Sequence, residues 1–148
     1  MAHYATTVNT DWDPEAAFRY LAEFSNVADW DPGVSAARNI SDAPLESGAR
    51  FEVEASFLGR TVPLTYETIE IDSPRRVTLR AATGTFTSLD TLSFDPTDGG
   101  GTAVTYDAEL SLNGALKLLD PALGLAFKRI GDAARDGLRK RLRQPPPS

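Results

Sequence analysis

Between Val34 and Leu112, apolar and polar residues alternate with a period of two. On either side of that stretch the period lengthens to three and four. A period of two is the mark of strands with one dry face, and a period near 3.6 is the mark of helices. Residues 3–10, rich in β-branched and aromatic types, read as an opening strand. Asp13-Pro14-Glu15 then starts a helix. Aspartate can cap it, proline suits its first position, and glutamate complements the positive end of its dipole. This helix runs to about Glu23 with Phe18, Leu21 and Phe24 on one stripe. Ser25 is placed to cap a second short helix ending near Trp30, and Asp31-Pro32-Gly33 stops it.

In the alternating region, Phe51, Val53, Ala55 and Phe57 share one face, and Gly59 turns the chain. Val62–Ile71 carries Leu64 and Tyr66 on one side, before a turn at Asp72-Ser73-Pro74. Val77, Leu79 and Ala81 define the next strand, and Gly84 turns again. Phe86–Phe94 and Val104–Leu112 flank the loose hairpin loop 96–101. After Asn113-Gly114 the period returns to three and four. Leu116 and Leu119 begin a stripe continued by Leu123, Phe127, Ile130, Ala134, Leu138 and Leu142. Asp120-Pro121 is either a kink or a fresh start. The other faces are basic, and arginines crowd the last turns, where the dipole favours them. The expected fold class is α+β: a curved antiparallel sheet of about seven strands around a long C-terminal helix, with two short helices after the first strand.

Composition narrows the chemistry. A length of 148 residues, 41% of them hydrophobic and 24% charged, suits one soluble domain over residues 1–143. The Pro-rich tail 144–148 is expected to be disordered. There is no cysteine, so disulfides, thiolate metal sites and a cysteine nucleophile are excluded. The single histidine, His3, has no visible metal partner set and argues against a serine triad. No metal and no cofactor is expected. A net charge of −6 disfavours nucleic acid as a partner. No signal peptide and no membrane span is evident, which points to a cytoplasmic protein. A monomer or weak homodimer is expected. Gly99-Gly100-Gly101 lacks a following lysine and helix, so it reads as a hairpin loop and not a phosphate cradle.

The order and spacing of certain segments resemble the START-like (SRPBCC) superfamily, and within it the polyketide cyclase/dehydrase-like branch. The resembling pieces are Asp13-Pro14-Glu15 with Phe18 and Leu21, the segment Phe24 to Gly33, Asp72-Ser73-Pro74-Arg75-Arg76, and Gly101 to Tyr106. The resemblance covers residues 3–143 and implies a helix-grip fold around a cavity for an apolar small molecule. It implies no single activity, because members include carriers, cyclases, hydrolases, hormone receptors and interaction modules.

Asp90 is the most informative polar residue, since it shares a strand face with Phe86, Ser88, Leu92 and Phe94. On the dry face its carboxyl would be desolvated and suited to acid or base work. A register shift would instead put Leu89 inside, and a third alternative is a structural acid bonded to tyrosine or backbone. Tyr66 and Tyr106 fall on expected inner faces, either as core or as ligand-orienting phenols. Trp30 is either part of a lid at the pocket mouth or a packing anchor. The expected ligand-binding set is Trp30, Phe57, Tyr66, Phe86, Asp90, Tyr106, Leu123 and Phe127. The expected function is binding of an apolar or aromatic, lipid- or polyketide-like molecule. The alternative is a cyclase/aromatase or dehydratase with Asp90 as acid/base and Tyr66 and Tyr106 as catalytic partners.

Overall fold

The computed structural model describes residues 2–42, 45–57, 59–114 and 120–147. Strand β1 (Ala2–Thr10) leads into helix α1 (Pro14–Ala22), where the Asp13 carboxylate accepts the Ala16 N–H at 2.8 Å. A 3-10 turn (Phe24–Asn26) and the short helix α2 (Val27–Trp30) follow. Ser25 lies inside the 3-10 turn and donates to Glu23 at 2.6 Å, so it is not the cap of α2. Its neighbour Glu23 is the nearer acceptor, and no side chain caps α2.

Strands β2 (Val34–Asn39), β3 (Arg50–Phe57), β4 (Arg60–Asp72), β5 (Arg76–Ala82), β6 (Phe86–Pro96) and β7 (Thr102–Leu112) complete the sheet. All neighbours are antiparallel, in the order β1-β7-β6-β5-β4-β3-β2. Each strand of the meander from β2 to β7 pairs with the next, and only β1 joins out of sequence order, at β7. Long strands with right-handed twist curl, and bulges bend them further. One bulge lies between Val34 and Ala36, another between Thr68 and Glu70. The second changes the phase of β4. Leu64, Tyr66 and Thr68 face inward, the bulge absorbs one residue, Ile69 is left exposed, and Ile71 turns back to the core. Plain alternation would have put Ile71 in water.

Helix α3 (Asp120–Leu142) lies across the concave face against β1 and α2. Its described part runs from Asp120, and the residues before it, on which the choice between a kink and a fresh start depends, lie outside the described residues. Leu116 and Leu119, the expected first residues of its stripe, lie outside the described residues. Further along, Ala134, Leu138 and Leu142 are buried in the main core. At the other end of the sheet, α1 packs on β6 through an edge-on contact of Phe18 with Phe94, 5.4 Å between centroids. The base of the expected disordered tail is tied down. Trp12 Nε1 donates to the Gln144 carbonyl at 2.7 Å, and the Arg141 guanidinium lies over both Trp12 and Tyr20. None of the described helices is long and apolar enough to cross a membrane.

Candidate functional site

The curl of the sheet and the single helix leave a cavity of about 120 Å³. Val53, Leu64 and Ala108 are among the sheet residues that line it. Phe24 and Val27 line it from the 3-10 turn and α2, Phe57 and Phe86 line it together with Phe127, and Ile130 adds to the helix side. The lining is mostly carbon. An engineered apolar cavity of about 150 Å³ holds benzene, so the space here is of single-ring size.

The polar part of the cavity is built on β6. Its inner face runs Phe86, Ser88, Asp90, Leu92, Phe94, and Asp90 is only 4% exposed. Leu89 is half-buried on the opposite face, which removes the register-shift alternative. Opposite Asp90 stand Leu79 of β5 and Ala108 of β7, both buried. Two residues along from Ala108, Tyr106 donates its phenolic hydrogen to Asp90 Oδ2 at 2.9 Å. Ser88 Oγ donates to Oδ1 at 3.1 Å, and the Tyr66 hydroxyl of β4 lies 3.0 Å from Ser88 Oγ. Four side chains from three strands therefore form one buried hydrogen-bonded chain: Tyr66, Ser88, Asp90, Tyr106.

Burial raises the Asp90 pKa to about 6, against the opposing pull of the Tyr106 and Ser88 hydrogen bonds. Desolvation pushes both phenols well above their ordinary value, and the Asp90 charge adds to it. A second carboxylate, Asp31, also lines the cavity. Desolvation raises its pKa, partly offset by the Gly33 N–H that donates to Oδ1 at 2.8 Å. A carboxyl that titrates near neutrality in a mostly apolar cavity can hold or release a proton at working pH.

Six of the eight expected residues line the cavity: Phe57, Tyr66, Phe86, Asp90, Tyr106 and Phe127. Trp30 and Leu123 do not. Trp30 is 3% exposed and stands edge-on to Tyr106 at 5.7 Å, behind the wall and not at a mouth. Leu123 packs with Ala2, Leu110 and Leu112 in a small separate cluster. The helical turn carrying Leu123 meets the β1–β7 edge, whereas Phe127 and Ile130 face the hollow. Asp31 and Ser88 were not among the expected site residues. Ser88 is in phase with Asp90, so its position was readable. Asp31 sits in a Pro-Gly turn, where the aspartate is ordinarily accounted for by the turn itself.

On the outer sheet face, the register pairs His3 with Glu109 and brings Asp107 alongside. His3 Nε2 is 2.9 Å from both Asp107 oxygens, and ligand atoms of the three residues lie within 4.8 Å of one another. His3 therefore has the acidic partners its sequence surroundings hide, because they arrive from a strand about a hundred residues away. The hydrogen bond that the imidazole donates to the Asp107 carboxylate raises the His3 pKa. The arrangement is an exposed ion pair whose three groups could also hold a cation.

A family model described as polyketide cyclase/dehydrase and lipid transport matches residues 1–143. No curated protein matches the chain. Among solved structures, a START superfamily protein from Mycobacterium smegmatis is similar at a TM-score of 0.78 and 11% identity, with 96% of this chain and 97% of that chain covered. The Zhui aromatase/cyclase from Streptomyces sp. R1128 is similar at 0.76 and 14%, covering 95% and 92%. A protein from Thermus thermophilus is similar at 0.75 and 19%, covering 95% of each chain. Identities this low speak for the fold, and the family follows from the model that spans almost the whole chain. With its curled sheet, gripped helix and cavity between them, the chain belongs to the polyketide cyclase/dehydrase and lipid transport family.

Proposed function

We propose that this protein binds an apolar or aromatic small molecule of about single-ring size between sheet and helix. The observation that carries this reading is the cavity of about 120 Å³, walled by carbon, with one buried polar chain on its β6 side. Apolar walls supply affinity and a few fixed polar groups supply orientation. In this reading Phe57, Phe86 and Phe127 are the walls, and Tyr66, Asp90 and Tyr106 orient the ligand. Trp30 acts indirectly by holding the Tyr106 ring, and Leu123 by seating α3 on the sheet edge. Family and fold support hydrophobic ligand binding or cyclase activity in general terms. The size of the cavity favours one ring over a fused polyketide skeleton.

The test is titration with toluene, followed by amide NMR. Saturable shifts centred on Phe57, Phe86, Tyr106 and Phe127 are expected. Shifts scattered over the outer face, or none, would sink the reading.

A second reading is enzymatic, and Asp90 is the observation that favours it. Its carboxyl lines the cavity and titrates at about 6. A bound carbonyl compound could exchange a proton with Asp90 while the Tyr106 phenol stays within hydrogen-bond reach of the carboxyl.

A further inference from the structure

The hydrogens of the buried chain can be counted. An ionised carboxylate only accepts, so both of its recorded bonds must be donated to it. Ser88 has one hydroxyl hydrogen, and it goes to Asp90 Oδ1. Tyr106 has one, and it goes to Oδ2. With the Ser88 hydrogen already committed, the 3.0 Å contact between Tyr66 and Ser88 requires Tyr66 to be the donor. All three hydroxyl hydrogens therefore run toward Asp90. What remains for a ligand on these four side chains is lone pairs.

The charge around the cavity has the same sense. Asp31 is a second carboxylate on the lining, and its recorded bond is again accepted, from Gly33 N–H. Among the described lining residues there is no lysine, arginine or histidine. Of the positive charges of α3, Lys128 pairs with Asp132, Arg135 with Asp136, and Arg141 lies over the Trp12 and Tyr20 rings, and none of the three is on the lining. The buried chain offers acceptors, the described lining holds two acids and no cation, and the other lining hydroxyl, Ser56, is exposed, so an anionic ligand finds no donor on the buried chain and is repelled. It offers a cationic donor strong, charge-assisted hydrogen bonds.

We propose, resting on the ligand-binding reading, that the cavity selects ring-sized apolar molecules bearing a protonated amine and rejects carboxylates of the same size. The ring takes the place beside Phe57, Phe86 and Phe127, and the ammonium group donates to the free lone pairs of Asp90, Tyr106 and Tyr66. Neutral hydroxyl compounds can donate one hydrogen and rank between amine and hydrocarbon. The groups that act on Asp90 are Ser88 on its own strand, Tyr66 of β4, Tyr106 of β7, Asp31 of the turn after α2, and Asp107 on the outer face of β7. None of them brings a positive charge. When Asp90 takes up its proton, the cluster gains a donor and loses its charge, so the selectivity for amines falls at acid pH.

The experiment is calorimetric titration of the intact protein with toluene, benzyl alcohol, benzylamine and benzoate, at about pH 7.5 and about pH 5. At the higher pH, benzylamine should bind roughly tenfold or more tightly than toluene, with benzyl alcohol between them and benzoate without saturable binding. At the lower pH the advantage of the amine should shrink severalfold. Asp90→Asn should lower the ratio of amine to toluene affinity at the higher pH. Asp31→Asn, which keeps an oxygen for Gly33, should do the same to a smaller extent and serves if the first variant fails to fold. If toluene binds but benzoate binds as well as benzylamine, the proposed selectivity is wrong and the cavity reading stands. The same holds if the amine ratio is unmoved in every folded variant. If none of the four compounds binds, the ligand-binding reading falls and takes the selectivity with it.

Discussion

Asp90 stands between two opposed effects that its position on the inner face of β6 sets against each other. Burial disfavours the carboxylate, while the hydrogen bonds from Tyr106 and Ser88 favour it, and burial is the larger. The folded pKa of about 6 therefore lies above the ordinary value of 3.8. Folding then favours the protonated form, and the sign follows. Below the ordinary value both folded and unfolded states carry the proton and Asp90 exacts no penalty. As pH rises toward about 6, only the unfolded state ionises freely, and stability falls to a lower plateau. The whole loss is on the order of 3 kcal/mol. Asp90→Asn cannot titrate, so its stability relative to the parent should rise by up to that amount between about pH 4 and about pH 8. Urea unfolding at several pH values reads this slope. The offset between the two proteins carries a separate cost, since an asparagine amide must face one of the two hydroxyl donors. A flat difference across the range would show that Asp90 is not a desolvated acid. The same variant examines the enzymatic reading, in which Asp90-dependent deuterium uptake beside the carbonyl of cyclohexanone should be lost with the carboxyl. The face on which Asp90 sits was legible from its phase with Phe86, Leu92 and Phe94. Its bonds were not, because Tyr66 and Tyr106 arrive from strands whose register the local pattern does not specify.

At the scale of elements, α3 shows how much an apolar stripe leaves open. The spacing of Leu123, Phe127, Ile130, Ala134, Leu138 and Leu142 predicts one buried face, and the helix presents it to the sheet side. What the stripe does not say is how close the helix comes. A side chain added at Gly137 would fall on the Trp30 carbonyl of α2, and one at Gly131 would fall on the Tyr4 ring of β1. Gly124, in the same helix, has nothing within 4 Å of such an atom. Gly137→Ala should therefore cost about 1–3 kcal/mol, since helix α3 or the α2 backbone must shift. Gly124→Ala should stabilise by roughly 0.5–1 kcal/mol through helix propensity alone. Thermal melts of the two variants should move in opposite directions. Equal shifts would mean that α3 does not rest on α2 at Gly137. The three helix glycines look alike in sequence, and only the neighbour brought across by the fold separates them.

At the scale of the whole molecule, the cavity is what remains when a strongly curled seven-stranded sheet closes on one long helix. The fully buried side chains Phe51, Phe94, Leu79, Leu92 and Leu138 lie outside its lining, so most of the core does not depend on whether the hollow is filled. Ala108 lies on the lining directly opposite Asp90. Ala108→Leu should therefore place three carbons in empty space, with stability changed by less than about 1.5 kcal/mol. Binding of toluene should be lost. A folded Ala108→Leu variant that still binds toluene at parental affinity would place the ligand elsewhere.

Periodicity, breakers and caps in the chain were enough to determine the α+β class, the hairpins from β3 to β7, the turn at Asp31-Pro32-Gly33 and the dry face of those five strands. These are local properties: each depends on residues two to four positions apart, and the backbone geometry translates them directly. The bulge that returns Ile71 to the core escapes such a reading, as does the anchoring of Gln144 by Trp12. So do the removal of Trp30 and Leu123 from the cavity and the pairing of His3 with Asp107. Each of these is settled by distance in space between residues far apart in the chain. The chemistry of the site belongs to the same class. A carboxylate on an inner face was readable from the strand, but the direction of every hydrogen around it was decided only when β4, β6 and β7 came together.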